Sequence, residues 1–140
     1  MKFKAIQTFI DDSGKRFSRM GTLAVDDLSP GDVVIRTRFA AVNYKDARAV
    51  TGQGNVLKRF PSVPGIEMSG VVESSADARF KVGQEVTVQG GRNFGMGHDG
   101  AFSEVVRVPG DWVAPISEGF DAFSVVATGI AGYTAAVAVE

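Results

Sequence analysis

The amino-acid sequence predicts a mainly β fold, either a barrel or a sandwich, followed by one C-terminal helix. Up to residue 120, short strand-like stretches alternate with turns that are rich in glycine and proline. The same region lacks the helices that must alternate with strands in a doubly wound parallel sheet. Helical character dominates only after Phe120, where an uncharged run extends from Ala122 to Val139.

The first three predicted strands come from alternating polarity and from the turns between them. Residues Lys2 to Phe9 alternate apolar and charged side chains, and "DDSGK" then turns the chain. Phe17 to Val25 can return as a second strand. "LSPGD" at 28–32 has the Pro-Gly order of a turn, and Val33 to Val42 reads as a strong strand.

The middle of the chain predicts one helical turn and three further strands. Asp46 to Val50 fits a short helical turn, and "RFPSVPG" at 59–65 is an irregular segment constrained by two prolines. Ile66 to Glu73 and Glu85 to Gln89 read as strands. Phe102 to Val108 reads as another strand, closed by "PGD".

The stretch "GMGHDG" at 95–100 has the spacing G-x-G-x-x-G. That spacing marks a dinucleotide-binding fingerprint only when it follows a strand directly and opens a helix. Here five residues separate Gln89 from Gly95, and the strand-like "AFSEVVRVPGDW" follows. We therefore interpret it as a glycine-rich connection between strands.

Composition limits the function classes. The 140 residues carry a net charge of −1 without a basic stripe, so we expect no nucleic-acid partner. Cysteine is absent, which excludes disulfides and thiolate metal sites within these residues. The run at 122–139 is short and rich in Ala and Gly, so a buried or interface helix is favoured over a membrane span. The N-terminus has no signal-peptide pattern, and we expect a cytoplasmic protein.

Five blocks together resemble the N-terminal catalytic domain of the medium-chain dehydrogenase/reductase superfamily. They are "NYKDARAVTGQG" from Asn43, "FPSVPGIEMSGVV" from Phe60, "RFKVGQEV" from Arg79, "GAFSEVVRVPGDWV" from Gly100 and "TGIAGYTA" from Thr128. The zinc-free quinone-oxidoreductase branch, with its acryloyl-CoA reductase-like members, is the most similar. The resemblance implies a GroES-like, partly open β-barrel over 1–120. It also implies that 121–140 form the helix leading into a Rossmann domain, which we expect to be missing from these residues.

The resemblance implies a reaction, a cofactor and the residues that serve them. The family transfers hydride from NADPH to an activated alkene, such as an acryloyl thioester, or to a quinone. Asn43 and Tyr44 match positions with catalytic and cofactor-binding roles, and Thr128 matches a cofactor-binding position. Asn43 and Ile66 stand where zinc-dependent relatives carry Cys and His, so no metal is expected.

Four further residues are candidates for the substrate and cofactor pocket. Glu67 is either a general base or, more in keeping with its motif, a structural hydrogen-bonding residue. Arg92, Asn93 and His98 lie in the glycine-rich loop, where Arg92 is either a phosphate-binding residue or a solvated loop residue. Relatives carry Trp where this chain has Asp99, so we expect an added charge on the loop and an altered substrate preference.

Three hypotheses about function remain open from the sequence. The chain is the catalytic-domain portion of an NADPH-dependent reductase, inactive alone; a non-enzymatic binding module on the same barrel; or half of a split reductase. Whether the chain by itself is an enzyme stays open. The apolar helix predicts an interface at 122–139, formed with a second copy or with a separate Rossmann-domain partner.

Overall fold

The computed structural model describes residues 1–91 and 93–139. Within them the chain forms seven strands and two α-helices, with short 3₁₀ turns at 25–27 and 110–112. In chain order the elements are β1 (Lys2–Ile10), β2 (Arg16–Ala24), β3 (Val33–Ala40), α1 (Tyr44–Val50), β4 (Glu67–Ser75), β5 (Glu85–Gln89), β6 (Val105–Val108), β7 (Ala114–Pro115) and α2 (Ala122–Ala138).

The strands form a five-stranded antiparallel sheet and a separate hairpin. The sheet has the order β6-β3-β4-β5-β7, and the hairpin pairs β1 with β2. Single bridges, Ala5 to Ser103 and Thr8 to Ser62, join the hairpin to the segments that flank the sheet. This arrangement confirms the predicted mainly β fold with a C-terminal helix.

The core lies on the inner face of the five-stranded sheet. On β3, Val33 and Ile35 are fully buried, whereas Arg36, the residue after Ile35, is exposed. Successive side chains of a strand lie on opposite faces of the sheet, which accounts for this alternation. Strand β4 is buried along most of its length because it lies centrally in the sheet and α2 packs against it. The buried Ser69 hydroxyl on β4 donates to the Ala122 carbonyl and so anchors the start of α2.

Most element boundaries differ from the predicted ones by one or two residues, and those of α1, β4 and β6 bear most on the site. Helix α1 begins at Tyr44, two residues before the predicted turn, because the Asp46 carboxylate accepts the Asn43 N–H at 2.8 Å. Strand β4 extends to Ser75, beyond the predicted end. Strand β6 begins only at Val105, because the Phe102 backbone pairs with Pro64 and Ile6 and not with a continuous ladder.

Helix α2 consists of two segments joined at Gly129. The first segment begins after Asp121, whose carboxylate accepts the Ser124 N–H at 2.7 Å and caps the helix. Gly129 has φ +20° and ψ −140°, which interrupts the helical backbone. Among the described residues, no helix is long and apolar enough to cross a membrane.

Candidate active-site cleft

A cavity of about 300 Å³ lies between the end of β3 and the inner face of α2. Its walls are apolar except for two side chains, Asn43 and Glu67, and both are predicted site residues. Phe39 and Phe123 meet edge to face at one side, with ring centroids 5.5 Å apart. The lining residues are Phe39, Ala40, Ala41, Val42, Asn43, Glu67, Phe123, Val126, Ala127 and Ala131.

Glu67 fixes which way the carboxamide of Asn43 faces. The Asn43 Nδ2 atom donates to Glu67 Oε2 at 3.3 Å. An ionised carboxylate only accepts hydrogen bonds, so it selects the amide nitrogen and turns the amide oxygen away. The polarity that Asn43 presents to the cleft therefore depends on Glu67.

Glu67 also contacts the opposite wall of the cleft. Its Oε1 atom accepts the backbone N–H of Ile130 at 2.8 Å, at the start of the second segment of α2. A carboxylate at this position caps that segment and satisfies an N–H that the helix break exposes. A Cβ at Gly129 would overlap the same carboxylate. One buried side chain, 1% exposed, thus joins β4, Asn43 and α2.

Asp46 holds the backbone of Asn43 in place through a hydrogen bond. Its two oxygens accept the N–H of Asn43 at 2.8 Å and the N–H of Ile66 at 3.0 Å. These bonds tie the start of α1 to the segment before β4, so Asp46 has a structural role. Burial raises the pKa of the Asp46 carboxyl above its ordinary value, against the opposing effect of the hydrogen bonds it accepts.

Tyr44 lies outside the cleft lining, next to Asn43. Its side chain is 81% exposed, and the Arg48 guanidinium lies 5.8 Å from the ring centroid. The phenol is open to a ligand that enters from solvent. Its catalytic and cofactor-binding roles stay predictions.

The predicted residues of the glycine-rich loop are held by other parts of the barrel. Asn93 has a positive φ of 75°, and its Oδ1 atom accepts from Lys58 Nζ at 2.8 Å. The ring nitrogens of His98 lie 2.9 Å from the Asp99 carbonyl and 3.0 Å from the Pro30 carbonyl. Neither Asn93 nor His98 lines the cleft, and their pocket roles stay predictions. Arg92 lies outside the described residues.

Thr128 faces the other side of α2. Its hydroxyl donates to the Ser124 carbonyl at 2.7 Å, and it borders a second concavity of about 370 Å³ together with Gln89 and Tyr133. The structure therefore brings Asn43 and Glu67 together in one cleft but does not place Thr128 there. Its cofactor-binding role stays a prediction.

Asp99 is an internal anchor that sequence reasoning missed. The carboxylate is turned inward and accepts from Ser29 N, Ser29 Oγ, Val63 N and the Arg59 guanidinium. The charge that Asp99 adds to the loop lies inside the fold, where the residue is 6% exposed and ion-paired with Arg59. Its partners lie 36 to 70 residues away in the sequence, so no local signal could have identified them.

The two positions at which the resemblance implies zinc ligands in metal-dependent relatives carry other side chains here. Asn43 offers an amide, and Ile66 offers an alkyl side chain that is buried. In the part of the chain that the structure describes, no group of three or more His, Asp or Glu side chains is arranged to hold a metal ion.

The comparisons with known proteins identify the family. Residues 29–118 match the alcohol dehydrogenase GroES-like domain. The chain belongs to this family. It is 40% identical over 126 residues to the probable acrylyl-CoA reductase AcuI of Escherichia coli K12, covering 90% of this chain and 39% of that protein. It is 38% identical over 129 residues to the acrylyl-CoA reductase AcuI of Ruegeria pomeroyi, with 92% and 39% covered.

A solved structure of the same superfamily superposes closely. The YhdH oxidoreductase of Salmonella enterica, in complex with NADP, matches with a TM-score of 0.90 and 37% identity over 97% of this chain and 41% of that one. These relatives confirm the predicted membership in the medium-chain dehydrogenase/reductase superfamily and the GroES-like fold. The chain spans 39% of the length of the two curated relatives.

Proposed function

We propose that the chain is the catalytic-domain portion of an NADPH-dependent, zinc-independent reductase. The reaction is hydride transfer to an activated alkene such as an acryloyl thioester, or to a quinone. The observation that carries the proposal is the apolar cleft whose two polar groups, Asn43 and Glu67, are hydrogen-bonded to each other. The acrylyl-CoA reductases among the relatives and the NADP complex of the Salmonella protein support this reaction class.

The residues of the cleft fit a nicotinamide. The ring is flat and largely apolar with one carboxamide, and the cleft offers apolar walls, the Phe39–Phe123 pair and one amide in a fixed orientation. When bound, NADPH supplies the hydride. Asn43 binds and orients a carboxamide or carbonyl group, while Phe39, Phe123 and Val126 exclude water from the reacting atoms.

Tyr44 is the proposed proton donor. Reduction of an activated alkene requires a proton as well as a hydride, and a phenol can donate one. The hydroxyl is open to solvent beside Asn43, so it can be resupplied with protons from water. Tyr44→Phe removes the hydroxyl and keeps the ring, so it isolates this role.

We propose that the outer face of α2 packs against a nucleotide-binding domain and that the chain alone is inactive. Tyr133 and Val137 are exposed on this helix, and the run 122–139 carries no charge. An apolar helix face of this kind is typical of an interface. The described residues form the cleft, and hydride transfer needs a nucleotide held against it. A second copy of the chain is the alternative occupant.

A chimera tests the proposed function. Residues 1–139 of this chain replace the matching segment of the E. coli relative, and NADPH oxidation is followed with acryloyl-CoA and with a quinone. We expect turnover by the chimera and none by the isolated chain. Asn43→Ala should lower turnover by about tenfold or more through lost orientation, whereas Asp12→Ala, in the exposed turn between β1 and β2, serves as the control. A folded chimera that binds NADPH yet reduces neither substrate would contradict the proposal.

Light scattering on the isolated chain tests the interface. A concentration-dependent dimer that Tyr133→Ser and Val137→Ser abolish would assign the α2 face to a second copy. A monomer whose NADPH binding appears only in the chimera would assign it to the nucleotide-binding domain.

A further inference from the structure

Arginines on this barrel differ in what they contact. Four of them lie beside carboxylates: Arg36 with Glu73, Arg59 with Asp99, Arg79 with Asp77 and Asp111, and Arg107 with Asp26. Arg16 and Arg48 instead meet only neutral groups among residues 1–91 and 93–139. Both lie next to the loop that follows α1.

Arg16 is held in one place by three neutral contacts. Its guanidinium donates to the Gly54 carbonyl and, at 3.1 Å, to Asn55 Oδ1. It also lies 5.3 Å from the centroid of the Phe60 ring. These contacts orient the charge without neutralising it.

Arg48 approaches the same loop from α1. Its guanidinium lies so close to Gly54 that a Cβ there would overlap Nη2, and it also stacks over the Tyr44 ring. No side-chain acceptor for its N–H groups lies within the described residues. Both guanidinium groups therefore lie against Gly54 with no carboxylate among their contacts in the described residues, and an anion bound there would offset their positive charges.

We infer that Arg48 and Arg16 bind a phosphate group of the substrate. The planar guanidinium fork matches two phosphate oxygens, and two forks that contact one residue can hold one phosphate or a pyrophosphate. Arg48 lies one turn along α1 from Tyr44, a rise of about 6 Å, and Tyr44 directly follows Asn43 of the cleft. A substrate whose reactive end enters the cleft can therefore place a phosphorylated tail on this pair.

This inference rests on the proposed function for its choice of ligand. A CoA thioester is reactive at one end and carries phosphates along its tail, and both curated acrylyl-CoA reductases act on that class by name. The cofactor also carries phosphates, so the test must separate these two sources.

Binding of coenzyme A to the isolated chain, measured by calorimetry and ³¹P NMR, is the first test. Pantetheine, which lacks the phosphates, and NADP⁺ are titrated in parallel. We expect Arg48→Gln to weaken coenzyme A binding by about tenfold or more, and Arg16→Gln to weaken it by a smaller factor. Lys81→Gln, which removes the same charge from an exposed turn, should leave binding within about twofold. Circular dichroism verifies that each variant folds.

Several outcomes overturn the inference. Coenzyme A binding that Arg48→Gln leaves unchanged, or no binding at millimolar coenzyme A, rejects a phosphate site at this pair. A loss confined to NADP⁺ binding assigns the pair to the cofactor instead.

The chimera separates this inference from the proposed function. Arg48→Gln should raise KM for acryloyl-CoA and leave KM and kcat for a phosphate-free quinone unchanged. A chimera that reduces both substrates equally well with and without the substitution keeps the proposed function and removes the phosphate site. If the chimera is inactive but the isolated chain binds coenzyme A through Arg48, the phosphate site is kept and the proposed function is rejected.

Discussion

Glu67 and Asp99 are both acids inside the barrel, yet their surroundings differ. Asp99 accepts from four donors on three residues, which uses about all the acceptor capacity of a carboxylate. Among the described residues, Glu67 accepts hydrogen bonds from Asn43 and Ile130 only, and it borders a cavity. An acid saturated by distant segments holds a fold together, whereas an acid with spare capacity on a cavity wall can also orient a ligand-binding group.

Replacing Gly129, which packs against Glu67, should cause the largest loss of stability. In Gly129→Ala the new Cβ overlaps the Glu67 carboxylate at a backbone position that already has a positive φ. We expect a loss of about 3 to 5 kcal/mol in the free energy of unfolding. Urea denaturation followed by Trp112 fluorescence measures it.

The neighbouring Gly132→Ala is the matched control. Its Cβ would meet the Thr128 side chain, with Cγ2 at 2.9 Å, so Thr128 must shift slightly, but no buried carboxylate or positive φ is involved and the site lies inside a regular helical segment. We expect a change within about 1 kcal/mol, since better helix propensity offsets the contact. Equal losses in both variants would mean that the contact with Glu67 does not decide the effect.

Asp99→Asn tests the structural acid of the pair and should lower stability without changing turnover. An amide has one acceptor oxygen, so at least one of the donors from Ser29, Val63 and Arg59 loses its partner, and the Arg59 charge loses its counter-ion. We expect a loss of about 2 to 4 kcal/mol in unfolding free energy. In the chimera, kcat per folded molecule should stay unchanged. A loss of kcat without a loss of stability would move Asp99 into the catalytic class.

Glu67→Gln should show the opposite combination, a small loss of stability with a large loss of cofactor affinity. Glutamine can still accept the Ile130 N–H, but its amide nitrogen then faces the Asn43 nitrogen, so the Asn43 carboxamide must turn over. We expect only about 1 to 2 kcal/mol of lost stability and about a tenfold loss of NADP⁺ affinity in the chimera. Adding Asn43→Asp restores a donor-acceptor pair and should recover stability but not affinity. Recovery of both would show that the orientation of Asn43 is unimportant.

The mainly β fold and the pocket motif were readable from the sequence for physical reasons. Alternation of apolar and polar residues marks the strands directly, and Asn43 and Glu67 stand in blocks that a family resemblance could match. The break in α2 was hidden because apolar residues continue across Gly129 without a change of period.

Two side chains could not be placed from the sequence, because their positions depend on tertiary contacts. The donors that hold Asp99 inside the fold, at Ser29 and Val63, are remote in the chain. Thr128 was expected from the family resemblance to bind cofactor, and its side chain lies on the face of α2 away from the cleft. The local sequence pattern predicts whether a segment is a strand or a helix. Which face of the fold a polar side chain occupies depends on tertiary packing.

The smallest predicted effect is the pH dependence of stability that Asp46 causes. Its sign distinguishes Asp46 from acids whose pKa is lowered by hydrogen bonds. Its pKa in the folded protein is raised by burial, so the folded state holds this proton more tightly than the unfolded state. Its contribution to stability is therefore fully present below the ordinary value of 3.8 and is lost as pH rises through the raised value. Asp121 and Asp77, whose pKa values are lowered chiefly by hydrogen bonds from Ser124 and Arg79, act with the opposite sign.

The substitution Asp46→Asn isolates this contribution. The amide keeps one of the two acceptors, so it lowers stability at every pH, but it does not titrate. The difference in unfolding free energy between the unchanged chain and the variant should be largest in acid and shrink as pH rises past the raised pKa. Urea denaturation from about pH 3 to pH 7 measures this difference. A difference that grows with pH would mean that the hydrogen bonds from Asn43 and Ile66 outweigh burial.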